Sequence, residues 1–117
     1  MRRIACALAL LPALHGAAMA QTALNGVWSV DDKPCTAKSA VDEARFRIGA
    51  KRIDFYESRC EIVQSRSARI GRSWGLQLKC TGEGENWEAL ALAMVTAEDE
   101  LIIYWDDGYS LIARRCK

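Results

Sequence analysis

Apolar and polar side chains alternate one for one through most of this chain, and that pattern commits it to a β fold. Trp74, Leu76, Leu78 and Cys80 alternate with Gly75, Gln77 and Lys79. Ala44, Phe46 and Ile48 alternate with Arg45 and Arg47, and Tyr109, Leu111 and Ala113 with Ser110, Ile112 and Arg114. Successive side chains of a strand point to opposite faces, so each stretch offers one face to a core. Turn formers punctuate the stretches at Gly49-Ala50-Lys51, Ile70-Gly71-Arg72, Gly82-Glu83-Gly84-Glu85 and Asp106-Asp107-Gly108. The last lies between Ile102-Ile103-Tyr104-Trp105 and Tyr109-Ser110-Leu111-Ile112, and predicts a tight hairpin.

Strands are expected near 26–31, 44–49, 52–57, 60–69, 73–80, 86–95, 100–105 and 109–115. Residues 31–43, with Pro34 and Cys35, predict a longer loop or a short helical turn. The segment from Trp87 to Met94 has high helix propensity. Gly84 before it, an acidic turn after it and strands on both sides argue for a strand. About eight short strands with short connections predict an all-β domain, a small antiparallel up-and-down β-barrel, with a β-sandwich as the alternative. Closure removes exposed edges and favours the barrel.

The N-terminus reads as an export signal. Arg2 and Arg3 precede an apolar run from Ile4 to Leu14, and Ala18-Met19-Ala20 has the small residues that signal peptidase requires. The run is too short for a membrane span, which takes about 20 apolar residues. Cleavage is expected near Ala20, leaving Gln21–Lys117 as a single periplasmic or secreted domain of 97 residues with no membrane span. So short a chain has a marginal core and benefits from covalent staples. Cys35, Cys60, Cys80 and Cys116 supply an even count in an oxidising compartment, which predicts two disulfides. Four cysteines allow three pairings; Cys60–Cys80 closing a hairpin and Cys35–Cys116 tying an early loop to the last strand is the preferred one.

Charge excludes some partners. Without Arg2 and Arg3, 14 of the 16 basic residues remain against 15 acidic ones, a net charge of −1. That is no footprint for nucleic acid. The only histidine, His15, lies in the signal, so the domain has no His-based triad, Cys–His pair or His-based zinc site. Oxidised cysteines are not nucleophiles. Gly82-Glu83-Gly84 lacks the lysine and further glycine of a phosphate loop. The expectation is a monomeric, non-enzymatic domain without cofactor or metal.

Leu24-Asn25-Gly26-Val27-Trp28 resembles the Gly-x-Trp opening of lipocalin-like barrels. It also resembles the start of the small periplasmic inhibitors of secreted metalloproteases, eight-stranded barrels of about this size. The resemblance implies a tryptophan plugging one end of a barrel and a glycine that lets the chain enter closely. Those inhibitors typically carry one disulfide, whereas this domain has cysteines for two. Small periplasmic lysozyme inhibitors are a second architectural analogy; Ser67-Ala68-Arg69 echoes their Ser-Gly-x-x-Tyr-like loop without its tyrosine.

Two groups of residues are candidates for binding. Tyr104, Trp105 and Tyr109 flank the Asp106-Asp107-Gly108 turn, and strand alternation must turn one or two of them away from the core. Arg66, Arg69 and Arg72 cluster around another turn and suit an anionic partner, an acidic protein cleft or a cell-envelope polymer. Trp28, Trp74 and Trp87 are expected in the core. The function these features imply is a binding module for a protein or envelope polymer, in one form a hydrolase inhibitor. A lipocalin-like carrier of a small ligand and a structural envelope protein are the alternatives.

Overall fold

The computed structural model describes residues 21–117. The signal-peptide reading, with its cut near Ala20, lies outside the described residues. A short 3-10 turn at Thr22–Leu24 leads into eight strands: β1 (Gly26–Ser29), β2 (Arg45–Ile48), β3 (Arg52–Asp54), β4 (Ser58–Ser67), β5 (Arg72–Gly82), β6 (Glu85–Val95), β7 (Glu100–Trp105) and β8 (Ser110–Arg115). Each strand pairs antiparallel with the next, and β8 pairs back onto β1, so the sheet is a closed barrel. The eight expected strands all form. The 3-10 turn is an addition, and the segment 30–44 is a loop rather than a helical turn. The chain from Trp87 to Met94 is strand throughout. Pairing along all of β5 on one side and with β7 on the other outweighs its helix propensity.

Both disulfides form in the preferred pairing. Cys60 lies opposite Cys80 in the β4–β5 ladder, and the two are bonded. Cys35 of the long loop is bonded to Cys116, just past β8. Disulfides of this kind belong to an oxidising, extracellular-type compartment. Among the described residues, no helix is long and apolar enough to cross a membrane.

The core is the barrel interior. Trp28, Phe46, Ile48, Ile53, Trp74, Leu76, Leu78, Leu101 and Ile103 are all buried there. The interior of a barrel of eight strands is just wide enough for side chains to fill. Trp28 and Trp74 fulfil the expectation of core tryptophans. Trp87 does not: it lies opposite Cys80 at the end of the barrel, where it is 42% exposed. There it borders an open recess above the Cys60–Cys80 disulfide, beside Phe55.

The ends of the barrel differ. One carries the turns at 49–51, 68–71 and 96–99 together with the 3-10 turn. Here Trp28 donates its indole N–H to Leu24 O at 2.9 Å, and the Arg115 guanidinium lies over the Trp28 ring, 4.1 Å from its centroid. Arg115 donates to Asn25 O at 2.8 Å, to Ala23 O at 2.7 Å and to the Asp99 carboxylate at 2.9 Å. A partly buried charge at the end of a small barrel is tolerable when its donors are satisfied in this way. Gly26 makes the approach possible. Its φ of 141° suits glycine, and a Cβ there would lie 3.1 Å from Arg115 Nη1. Glycine and tryptophan at Gly26-Val27-Trp28 thus play the parts that the barrel resemblance implies.

Candidate functional site

The opposite end, the mouth, carries the turns at 55–57, 83–84 and 106–109. A chain of rings spans it. Phe46 and Phe55 are 5.3 Å apart between centroids, Phe55 and Trp105 6.2 Å, and Trp105 and Tyr109 5.4 Å. The hairpin makes this geometry: Trp105 N donates to Tyr109 O and Gly108 N to Trp105 O, so the two rings meet across a tight turn. Phe55 and Trp105 are packed against the core, while Tyr109 is 62% exposed. On each side of the Phe55–Trp105 pair lies an open recess. One, of about 430 Å³, is walled by Phe46, Tyr56 and Leu111 with Asp42, Glu43, Arg45 and Glu57 around it. The other, of about 420 Å³, is walled by Trp87 and Tyr109 above the Cys60–Cys80 bridge, with Glu88, Asp106 and Asp107 around it.

A second feature lies on the outside of the barrel. Through the middle of β6 the inward side chains are small: Ala89, Ala91 and Ala93. The large side chains alternate with them and point out: Leu90 is 55% exposed, Leu92 58% and Met94 37%. The register aligns Leu92 with Tyr104 and Met94 with Ile102 on β7, and Ile102 with Ile112 on β8. Tyr104 and Ile112 are likewise exposed. Three adjacent strands therefore present a continuous apolar face to solvent. Monomeric soluble proteins rarely expose large contiguous apolar patches without using them.

Gly75 of β5 notches this face. It pairs with Leu92 on one side and Arg66 on the other, and a Cβ built there would meet nothing within 4 Å. The result is a groove of about 510 Å³ between Leu90, Leu92 and Tyr104 on one wall and Gln64, Arg66 and Gln77 on the other, closed at one end by Asp106. Glycine in a strand weakens it, and commonly marks the close approach of a ligand or another backbone. With its amide oxygen turned toward Arg66, Gln64 accepts from both Nε and Nη2 at 2.9 Å and so fixes the guanidinium at the groove edge. Among the described residues Arg66 has no carboxylate partner. Asp106 is oriented by pairing with Leu90, accepting from Leu90 N at 3.1 Å and donating its own N–H to Leu90 O at 2.9 Å.

The apolar face is a patch, not a belt. Elsewhere around the barrel the outward positions include Arg47, Arg59, Glu61 and Lys79. Strands of three or four residues, as in β1–β3, cannot cross a bilayer, which takes about 9–11 residues per strand.

The residues singled out from the sequence are divided by the fold. Arg66 and Tyr104 line the outer groove together. Trp105 lines both that groove and the mouth, and Tyr109 belongs to the mouth. Arg69 and Arg72 sit at the β4–β5 turn on the sealed end; Arg69 has a φ of 61°, and Arg72 donates to Thr96 O at 2.6 Å. The six do not converge on one surface. Sequence reasoning missed Gly75, Leu90, Leu92, Met94 and Ile112. A signal for them existed: with Trp74 facing in, strand parity turns Gly75 out, and with the alanines of β6 facing in, it turns the leucines out.

Among the described residues no three potential metal ligands gather in one place. Comparison with known protein families, with curated proteins and with solved structures finds no match for this chain.

Proposed function

We propose that the chain is an exported, non-enzymatic binding module of the periplasm or cell exterior, and that it docks a partner protein on the outer face of β4–β8. The observation that carries this reading is the inverted polarity of β6, alanine inward and leucine outward, beside the notch at Gly75. A groove with apolar walls, an unpaired arginine and two amides on its rim has the make-up of an interface centre with a polar border. The partner it fits presents an aliphatic or aromatic side chain to fill the notch and a carboxylate to meet Arg66. A folded protein answers that description better than an anionic envelope polymer, because Arg69 and Arg72 stand apart from the groove. A hydrolase is the partner class that the barrel resemblance implies, and an inhibitor would be one form of this function.

The test uses Gly75→Thr. The added side chain enters open space on a strand that favours it, so the fold is kept while the notch is filled. Oxidised Gln21–Lys117 is used as bait against an envelope extract and a panel of lysozymes and secreted proteases. The expected result is a retained protein that Gly75→Thr and Leu92→Lys both release. A partner held equally by wild type and both variants would overturn the docking face. No retained partner would overturn the binding module. A dimer in sedimentation that Gly75→Thr converts to monomer would make the occupant a second copy instead.

A further inference from the structure

The recess between Trp87 and Trp105 shares Trp105 and Asp106 with the outer groove, but the rest of its lining and its chemistry are different. Its walls carry four aromatic side chains, Phe55, Trp87, Trp105 and Tyr109. Its floor is the Cys60–Cys80 disulfide, which is buried and apolar. The only charged side chains lining it are Glu88, Asp106 and Asp107; no lysine or arginine takes part. Two of the three are held in place. Asp107 accepts from Tyr109 N at 2.9 Å, and Asp106 from Leu90 N at 3.1 Å, which leaves each carboxylate with further acceptor capacity. Lys79 lies opposite Glu88 in the β5–β6 ladder without an ion pair between them, Arg59 is paired with Asp54 at 3.2 Å, and Arg45, in the recess beyond Trp105, with Asp42 at 3.3 Å.

Trp87 makes the arrangement notable. Its position in the alternation is an inward one, yet it remains 42% exposed beside this recess. An aromatic face with open space before it and carboxylates beside it repels anions and attracts cations. A compact metal ion is not what it suits, because the walls offer ring faces rather than convergent oxygens, and no cluster of three metal ligands exists among the described residues. A weakly hydrated cation loses little by leaving water and gains from every ring face it meets.

We propose that this recess binds an organic cation of the alkylammonium type, best a quaternary ammonium group. Trp87 and Trp105 form opposing walls, Phe55 and Tyr109 complete the cage, and Glu88, Asp106 and Asp107 supply the counter-charge. A volume of about 420 Å³ admits such a group with part of the molecule that bears it. The ligand is either a free small cation or a cationic headgroup carried on a larger molecule.

The experiment titrates tetramethylammonium, choline and the uncharged isostere of choline, 3,3-dimethylbutan-1-ol, into oxidised Gln21–Lys117, followed by tryptophan fluorescence and the indole N–H resonances. Both cations are expected to bind saturably and to perturb the Trp87 and Trp105 signals. The neutral isostere is expected to bind more weakly by about ten-fold or more, and added salt to weaken the cations only. Trp87→Ala and Glu88→Gln should each weaken binding by about three-fold or more, while Gly75→Thr leaves it unchanged, which keeps this site distinct from the docking groove. Equal binding of choline and its neutral isostere would overturn the proposal, as would saturation unaffected by both Trp87→Ala and Glu88→Gln, or no saturable shift by either cation. Phosphatidylcholine vesicles form the second arm. Binding to free choline alone assigns a soluble cation, and co-sedimentation with vesicles that choline competes away assigns a headgroup.

Discussion

The two ends of this barrel are built from similar materials and put to opposite use. Each has a tryptophan, an arginine or carboxylates, and turns that need left-handed backbone. At the sealed end the Trp28 indole and the Arg115 guanidinium are used internally. Trp28 N–H goes to Leu24 O, and the Arg115 guanidinium is divided between two carbonyls and Asp99 while it covers the Trp28 ring. At the mouth the rings border open space, and among the described residues Glu88, Asp106 and Asp107 have no ion-pair partner. Aromatic and ionic groups that saturate one another stabilise a fold. The same groups held apart by a rigid frame are left free to meet something else.

Apart from the two disulfides, the comparison implies that substitutions at the sealed end cost stability and those at the mouth cost little. The largest effect is expected from removing the Cys35–Cys116 bridge by replacing both cysteines with serine. It spans 81 residues of chain, against 20 for Cys60–Cys80. The chain-entropy model gives about 4.5 kcal/mol for the first and about 3.3 kcal/mol for the second. Urea unfolding of the two variants should show that order, and the reverse order would deny the sealed end its leading role. Next comes Arg115→Ala, which strips a cation from Trp28 and leaves two inward carbonyls and Asp99 without their donor. A loss of about 2–3 kcal/mol is expected in the same measurement. Trp87→Ala at the mouth should cost less than about 1 kcal/mol, since the side chain is already partly in water. A cost equal to that of Arg115→Ala would show that the mouth is core after all. Gly75→Thr should be neutral or slightly stabilising, because strand propensity spans only about 1 kcal/mol and no neighbour is displaced.

The smallest effect concerns acid. The Ser29 hydroxyl donates to Asp31 Oδ1 at 3.0 Å, and this bond above all holds the Asp31 carboxyl below its ordinary pKa, with help from Lys33 N. A depressed carboxyl contributes stability above its unfolded pKa and loses it as pH falls through the folded one. Ser29→Ala should therefore narrow the stability difference from wild type as pH drops below about 4, the usual range for an aspartate. A difference that stays constant with pH would remove Asp31 from the account.

Much of the fold was legible because strand parity and turn chemistry agree along the chain. The hairpin at Asp106-Asp107-Gly108 and the ladder of Trp74 to Cys80 are readable one residue at a time. The Cys60–Cys80 bridge fits the pairing of two neighbouring strands, whereas Cys35–Cys116 joins a loop to the chain past β8 and was one choice among three pairings. The site was less legible, for three physical reasons. Parity tells which residues share a face, but not which face is inside when both are apolar, as in β6. An irregularity in β4 between Ile62 and Gln64, which leaves Val63 without a partner, re-phases the strand and carries Arg66 to the outer groove, apart from Arg69 and Arg72. Trp87 looked like core by composition, yet at the barrel end it borders an open recess above the Cys60–Cys80 bridge, beside Phe55.

The division of labour between the ends is tested most directly by native-state hydrogen exchange. The Cys116 amide, bonded to Val27 O at 2.9 Å, reports on the sealed end, and the Trp105 amide, bonded to Tyr109 O at 2.8 Å, reports on the mouth. If the account is right, Cys116 exchanges only through global unfolding, while Trp105 exchanges through local openings at least about 2 kcal/mol easier. Equal opening free energies at the two amides would contradict it, because a mouth as tightly bound as the sealed end would not be held open for a ligand.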